Sequence, residues 1–319
     1  MKRYTYTFRA LGGPCSLRLY AASDAAADTA ADAARAEIVR IEHKYSRYRD
    51  QSVVGQLNRL AGSDVDMDVD DETAALLDYA ATAYVISDGL FDITSGVLRR
   101  AWDFRSGRVP HASQVEALLP LVGWHQVRWE NRRIGLPKAG MQLDFGGFGK
   151  EYAADRAGAV LRLHGIRHGL VDLAGDLVLL GPHPDGSPWR VGIRHPRRVD
   201  TAMAIIDVEV GAVASSGDYE RYFEQDGKRY CHVLNPRTGW PVTGIASVSV
   251  LAEQCVIAGI ATTTAMLKEG AGAAWLSEFG LPWLAADRDG TISGSIQRRD
   301  AMTPIDHGWH ASSPNVLGP

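Results

Sequence analysis

The amino-acid sequence predicts an α+β fold of two interlocked lobes with a glycine-rich loop between them. Three observations carry this expectation. Helices with one apolar stripe and strand-like stretches are interspersed along the chain, and the second half is strand-rich. No internal repeat or long low-complexity linker divides residues 1–300, so a single two-lobed domain is expected there, followed by a mobile tail over 301–319 rich in Pro, Ser and Gly. At Leu143–Asp155, LDFGGFGKEYAAD, a short apolar strand runs into glycines and then into a helix.

Taken in order, Tyr4–Tyr20 reads as two strands broken at Gly12-Gly13-Pro14, and Asp24–Tyr45 as a long alanine-rich helix. The stretch YSRYRDQSVVGQLN is expected to be a loop carrying Tyr45, Tyr48 and Asn58. Tyr48 suits either half-buried packing or stacking on a planar ligand. A second amphipathic helix, Glu72–Val85, is closed by Ser87-Asp88-Gly89 and leads into GLFDIT, with Asp92 behind an aromatic residue. Trp124–Trp129 and Arg133–Leu143 suggest a hairpin feeding the glycine loop.

In that loop Gly146, Gly147 and Gly149 leave the backbone open to a ligand, and the next helix offers unpaired N–H groups at the positive end of its dipole. Asp144 precedes the glycines and Lys150 follows them. This places an acceptor for a ligand hydroxyl or N–H within a turn of a cation suited to phosphate. The spacing matches neither the Walker A nor the G-x-G-x-x-G pattern. A solvated strand-to-helix turn is the competing reading.

After the helix Lys150–Leu163, HGLVDLAGDLVLLG reads as one strongly apolar strand holding Asp172 and Asp176, which serve as turn acceptors or face a ligand. Strands at Trp189–Ile193 and Ala202–Val210 lead to ASSGDYERYF. In YCHVLNPRTGWPV, Asn-Pro and Thr-Gly define a fixed loop carrying His232, a position open to either a structural or a catalytic role. A strand at Ala246–Leu251, helices at Val256–Leu267 and Ala271–Phe279, and final strands to Gln297 complete the pattern.

Composition removes several classes of function. The 319 residues are 45% apolar and 23% charged, ordinary for a soluble globular chain. A net charge of −4 with both signs interspersed offers no field for nucleic acid, and no apolar run approaches the ~18 residues of a membrane span. Cys15, Cys231 and Cys255 lie far apart and outside C-x-x-C pairs, which argues against a disulfide framework or structural zinc and for a reducing compartment. The N-terminal stretch alternates like a strand and lacks an apolar signal region, so cytoplasmic residence is expected, or periplasmic residence if the N-terminus has been trimmed.

Five segments together resemble the ApbE-type FAD:protein FMN transferases over about Tyr4–Ile296. YSRYRDQSVVGQLN is similar to that family's S-x-Y-x-x-x-S-x-x-x-x-L-N, GLFDIT to its G-x-F-D-x-T, and LDFGGFGKEYAAD to its D-L-G-G-I-A-K-G-Y-A-x-D. SSGDYERYF and HVLNPRTGWPV resemble its T-S-G-D-Y and H-x-I-D-P-R-T-G-x-P pair. The resemblance implies an ApbE-like, T-fold-like architecture with the flavin site between the lobes. It implies that FAD is cleaved at its pyrophosphate and that FMN is joined to a Thr or Ser of a partner flavoprotein, with Mg2+ assisting and AMP released. By the same resemblance Lys150, Asp144 and His232 would be catalytic. Leu11, Tyr48, Asn58, Leu90, Phe91, Asp92, Asp144, Gly146, Gly147, Lys150, His232 and Leu234 would bind FAD, with Tyr48 stacked on the flavin and Lys150 with the glycine amides on the pyrophosphate.

The metal segment departs from the family. Gly149, Gly259, Thr262 and Thr263 match its Mg2+ positions, but AGIATT puts Gly259 where A-D-A-L-A-T has the aspartate, and Gly149 replaces an alanine. Glu151 stands in place of a glycine, and AGD at 174–176 replaces G-G-D. Without that aspartate Mg2+ is expected to bind weakly or to depend on the nucleotide, and Gly259→Asp is expected to strengthen it. Glu151 either supplies the missing charge or only caps its helix. The departure leaves three functions open: FMN transfer, an FAD-binding homologue without transfer, and FAD pyrophosphatase activity. Relatives are implied to act outside the inner membrane.

Overall fold

A computed structural model of the chain describes residues 1–198 and 201–299, together with the backbone of His307–Gly308. It opens with the hairpin β1 (Lys2–Ala10) and β2 (Gly13–Ala21), in register from Lys2↔Ala21 to Ala10↔Gly13. The turn is therefore Leu11–Gly12, both in the left-handed region at φ 53° and 76°. Gly13 and Pro14, expected in the break, already pair within β2.

Helix α1 (Asp24–Tyr45) starts at Ser23, whose side chain accepts from the Ala26 N–H at 3.3 Å, and it buries Ala27, Ala30, Ala31, Ala34, Ile38 and Ile41 at spacings that form one stripe. Instead of a continuous loop, the next stretch contains α2 (Val53–Arg59), capped by Ser52 on the Gly55 N–H at 2.8 Å, so Asn58 is helical. Seven residues are too short for an apolar period to declare itself. Then come β3 (Met67–Asp68) and α3 (Asp71–Ile86), the latter closed by Gly89 at φ 78°, whose N–H bonds Tyr84 O at 2.7 Å. Helix α4 (Ala112–Glu116) follows.

The hairpin expected over 124–143 is shorter than its pattern suggested. Only β4 (Arg128–Glu130) and β5 (Arg133–Gly135) pair, and residues 136–148 run irregularly into α5 (Gly149–Leu163). The single strand expected over 168–181 is a hairpin, β6 (Gly169–Leu173) and β7 (Asp176–Gly181), turning at Ala174–Gly175 with φ 57° and 98°. Continuous apolarity hid the turn because both strands are buried on two faces. The chain continues through β8 (Trp189–Arg194), β9 (Ala202–Val208), β10 (Gly211–Gly217), β11 (Tyr222–Gln225), β12 (Lys228–Cys231) and β13 (Ile245–Ala252). It ends with α6 (Cys255–Leu267), α7 (Gly272–Phe279), β14 (Trp283–Asp287) and β15 (Ile292–Gly294), and β16 (His307–Gly308) pairs parallel with β8. The rest of the tail anticipated over 301–319 lies outside the described residues.

Eight strands form one antiparallel sheet in the order β1-β2-β6-β7-β10-β13-β14-β15. Alternation divides its faces. Val178, Leu180, Ala212, Ala214, Val248 and Val250 join the core under α1, α5 and α6, whereas Leu177, Leu179 and Val213 pack with Trp189, Val191 and Ile206 of the β8–β9 ribbon. The α+β expectation holds. Helix α5 reaches the sheet closely because it carries Gly158 there: a Cβ at that position would lie 2.9 Å from Val178 Cγ1. A third, aromatic core surrounds Trp102, whose indole N–H donates to Gly239 O at 2.8 Å.

At the outer ends of α1, α3 and α5 lies an ion network centred on Glu72, which accepts from Arg40 at 2.6 and 2.8 Å, Lys44 at 2.6 Å and Tyr152 Oη at 2.8 Å. Arg40 above all, opposed by burial and aided by Lys44 and Tyr152, holds the Glu72 carboxyl well below its ordinary 4.5. A depressed carboxyl stabilises the fold above its unfolded value and loses that contribution as pH falls below it. Glu72→Gln is thus expected to cost about 1–2 kcal/mol at pH 7. The gap to wild type should narrow at pH 3, as read from urea midpoints at the two pH values. Equal gaps would show that the charge contributes nothing.

Candidate functional site

The loop before α5 is held from several sides. Asn58 grips Leu143 both ways, donating to its carbonyl at 3.0 Å and accepting from its N–H at 2.7 Å, and the Asp144 N–H donates to Ile93 O at 2.8 Å. Phe145 packs between Tyr45 and Phe148 at 5.4 and 5.0 Å. Gly146, Gly147 and Gly149 all lie outside the left-handed region. Close approach explains the first two: a Cβ at Gly147 would sit 3.3 Å from the Phe91 ring, and one at Gly146 3.0 Å from Asp144 Oδ1. A Cβ at Gly149 would meet only Phe145 Cβ at 3.7 Å, so the family's alanine would fit. No side chain caps the N-terminus of α5; the Gly149 N–H donates to Phe145 O at 2.6 Å, and the positive end of the helix dipole lies at the loop.

Asp144 is partnered at both oxygens, by Arg47 at 2.9 Å and by the Gly146 N–H at 2.8 Å. Arg47 also donates to Gly96 O at 2.9 Å, and a Cβ at Gly96 would lie 2.5 Å from Asp144 Cβ, so only glycine lets these segments meet. Tyr48 is 83% exposed with the Arg47 guanidinium 5.3 Å from its ring centroid, leaving ring area open for stacking. Asp92 is buried. Its oxygens accept from the Thr94 N–H and hydroxyl at 2.8 and 2.6 Å and from the Trp124 N–H at 3.0 Å, which fastens GLFDIT to residues 123–124. Leu90 and Phe91 are buried beside it, Phe91 backing Gly147, and Leu11 sits half-buried at the β1–β2 turn.

His232 is fixed through its backbone, its N–H donating to Arg221 O at 2.9 Å and its carbonyl accepting from Arg99 at 3.2 Å. Its Nδ1 is buried without a partner. Burial first, then the charges of Arg99, Arg221 and Lys150, push the imidazole down to about 3. Leu234 lines the aromatic core around Trp102. The charges link the parts into one neighbourhood. Arg99 is within electrostatic reach of Asp144, Arg221, Arg47 and Tyr48, and His232 within reach of Arg99 and Lys150. Arg99 and Arg221 escaped the sequence reading because nothing local distinguishes them from surface arginines.

The Lys150 ammonium lies 2.5 Å from Asp176 at the start of β7. Burial works to lower its ordinary value, but the charges of Asp176 and Glu151 prevail and keep it cationic. Glu151 is 7% exposed, and its Oε2 is buried with no hydrogen-bond partner. Burial, and after it the Asp176 charge, raises its carboxyl. Glu151 lies against Gly259 on α6: a Cβ at 259 would fall 2.5 Å from Glu151 Cγ and 2.8 Å from its Oε1. The expectation that Gly259→Asp alone would strengthen the metal site therefore meets an occupied space. Beside it, Thr262 Oγ1 donates to Gly259 O at 2.9 Å, and Ser216 Oγ lies 2.9 and 3.5 Å from the Thr262 and Thr263 hydroxyls.

Among the described residues no group of three His, Cys, Asp or Glu side chains forms a metal cluster. One unpartnered carboxylate oxygen with clustered hydroxyls nevertheless suits a hard divalent cation. Two motif acids serve elsewhere. Asp155 caps α6, accepting from the Cys255 and Val256 N–H groups at 2.8 and 2.9 Å, and Asp218 takes both ends of Arg197 at 2.6 and 2.7 Å.

The profile described as the ApbE family matches residues 11–284. An FAD:protein FMN transferase of Klebsiella pneumoniae is 31% identical over 266 residues, 82% of this chain and 81% of its own. One from Treponema pallidum is 31% identical over 305 residues, 85% of this chain and 83% of its own. The crystal structure of the ApbE protein of Thermotoga maritima superposes with a TM-score of 0.85 at 31% identity, covering 92% of this chain and 97% of that one.

The His232 environment gives a direct expectation. The unfolded chain binds a proton near 6.5 that the folded imidazole refuses until about 3, so this group withdraws stability as pH falls through that window. NMR of ring-labelled histidine should find His232 neutral at pH 5. A midpoint near 6.5 would mean that the ring is solvated.

Proposed function

The chain belongs to the ApbE family, and from that premise we propose that its site performs the reaction for which its curated relatives are named, moving FMN from FAD to a protein. The acceptor in this reading is a Thr or Ser hydroxyl of a partner flavoprotein. Its oxygen bonds to the FMN-side phosphorus while the bond from that phosphorus to the bridging oxygen breaks, and AMP departs with the bridging oxygen. The hydroxyl proton passes to a base.

The observation that carries the reading is the gathering of Lys150, Arg47, Arg99 and Arg221 around one uncapped helix N-terminus beside an exposed aromatic ring. The Gly147 amide, the first-turn amides of α5 beyond Gly149 and the Lys150 ammonium bind the pyrophosphate, and Tyr48 stacks on the isoalloxazine. Asn58 and Asp92 act on the ligand by holding the walls, since their polar atoms are engaged in the loop and in GLFDIT. Asp144, anchored by Arg47, presents its remaining acceptor capacity to polar atoms of FAD. His232 offers neutral Nδ1 as the proton acceptor, and the charge of a bound pyrophosphate offsets the three cations that now depress it. Mg2+ bound with FAD would neutralise phosphate charge that repels the incoming hydroxyl. Glu151, Thr262 and Thr263, with the Gly149 carbonyl, would hold it.

Incubation with FAD, Mg2+ and a candidate acceptor peptide should yield an FMN adduct by mass spectrometry with an equal amount of AMP. AMP without adduct would reveal hydrolysis by water, and neither product would overturn the reading. Lys150→Ala should weaken FAD by about 10- to 100-fold, the worth of a charge-assisted contact, and leave riboflavin nearly unchanged in calorimetric titrations. Equal losses for both ligands would remove Lys150 from the phosphate role.

A further inference from the structure

Position 259 and position 151 are in contact, and together they hold one carboxylate. Glu151 Cγ lies 2.5 Å from where a Cβ at 259 would be, and Glu151 Oε1 2.8 Å from it. A side chain growing from 259 would thus project into the space that the Glu151 carboxylate fills. The Glu151 residue is 7% exposed and its Oε2 has no hydrogen-bond partner. The adjacent ammonium, Lys150, is already paired with Asp176 at 2.5 Å. A buried carboxylate oxygen without a donor is costly unless it takes up a proton or a cation meets it. The Ser216 hydroxyl on β10 lies 2.9 and 3.5 Å from those of Thr262 and Thr263, one helical turn beyond Gly259 on α6, so hard oxygens gather beside position 259.

We propose that Glu151 is the anionic ligand of a divalent-cation site in this protein, contributed by the first turn of α5 instead of by α6. The inference rests on the transferase reading only for the purpose of the metal. The geometry concerns the cation alone. A carboxylate reaching from α5 and one reaching from α6 are alternatives, because the two side chains claim one volume. Having both would crowd the site and set two negative charges together, and having neither would leave only neutral oxygens, which hold Mg2+ poorly.

Mn2+ serves as the probe, its free ion counted by electron paramagnetic resonance in titrations of the full chain without FAD. Wild type should bind one ion, and Glu151→Gln should bind it at least tenfold more weakly. Gly259→Asp alone should bind no more tightly than wild type. The double variant Glu151→Gly with Gly259→Asp, which moves the carboxylate across the contact, should return to within about threefold of wild type. FAD binding without metal, followed by quenching of flavin fluorescence, should persist in every variant and so certify the fold. Wild type that binds no Mn2+, Glu151→Gln that binds as well as wild type, or a folded double variant that fails to recover would each overturn the proposal. Failure of FAD binding by wild type would instead strike the transferase reading and leave the Mn2+ result standing.

Discussion

The ion pair between Lys150 and Asp176 is the constraint on which the site depends. The two are unequally buried, the Lys150 side chain being 34% exposed and that of Asp176 only 4%. Asp176 is the first residue of β7, and Lys150 stands in the first turn of α5. The buried Asp176 carboxylate relies on Lys150 for its counter-charge. The pair therefore ties the glycine loop to the central sheet before any ligand arrives. It also nearly cancels the charge of Lys150, as Asp144 does that of Arg47, so much of the positive field comes from Arg99 and Arg221, which lie on segments distant in sequence.

Around that pair the molecule brings helices close by removing side chains. Gly158 lets α5 settle on Val178, Gly259 makes room for Glu151, and Gly96 admits Asp144. Asp155 then caps α6 from the second turn of α5, so the helix that follows the glycine loop also fixes the helix that carries Thr262 and Thr263.

What was legible in the sequence follows the range of the forces involved. Helices α1, α3, α5, α6 and α7 were readable to within about one residue at either end, because caps and apolar stripes act over one or two turns. The strand-to-helix passage through the glycines to Lys150 was readable for the same local reason. Helix α2 is too short to show a period, and the β6–β7 turn vanished within an apolar run buried on both sides. Arg99 and the contact of Glu151 with Gly259 join residues far apart in the chain, and no local pattern encodes such a meeting. Asn58 and Asp92 were chosen as ligand contacts, and their polar atoms turn out to be engaged in holding backbone.

Ala174 shows how the chain accommodates a residue where its relatives' pattern has glycine. It takes φ 57° in the turn two residues before Asp176, a conformation that costs a residue with a Cβ roughly 1–2 kcal/mol. The same methyl group restricts the unfolded chain, which returns about 0.4–1 kcal/mol. The cost outweighs the return, so the alanine is a net loss of stability at this turn. Their location differs, however: the gain belongs to the unfolded ensemble, while the cost is held as tension in the native turn, beside the carboxylate that steadies Lys150. The native turn therefore carries a small local tension within reach of the ion pair that steadies the glycine loop.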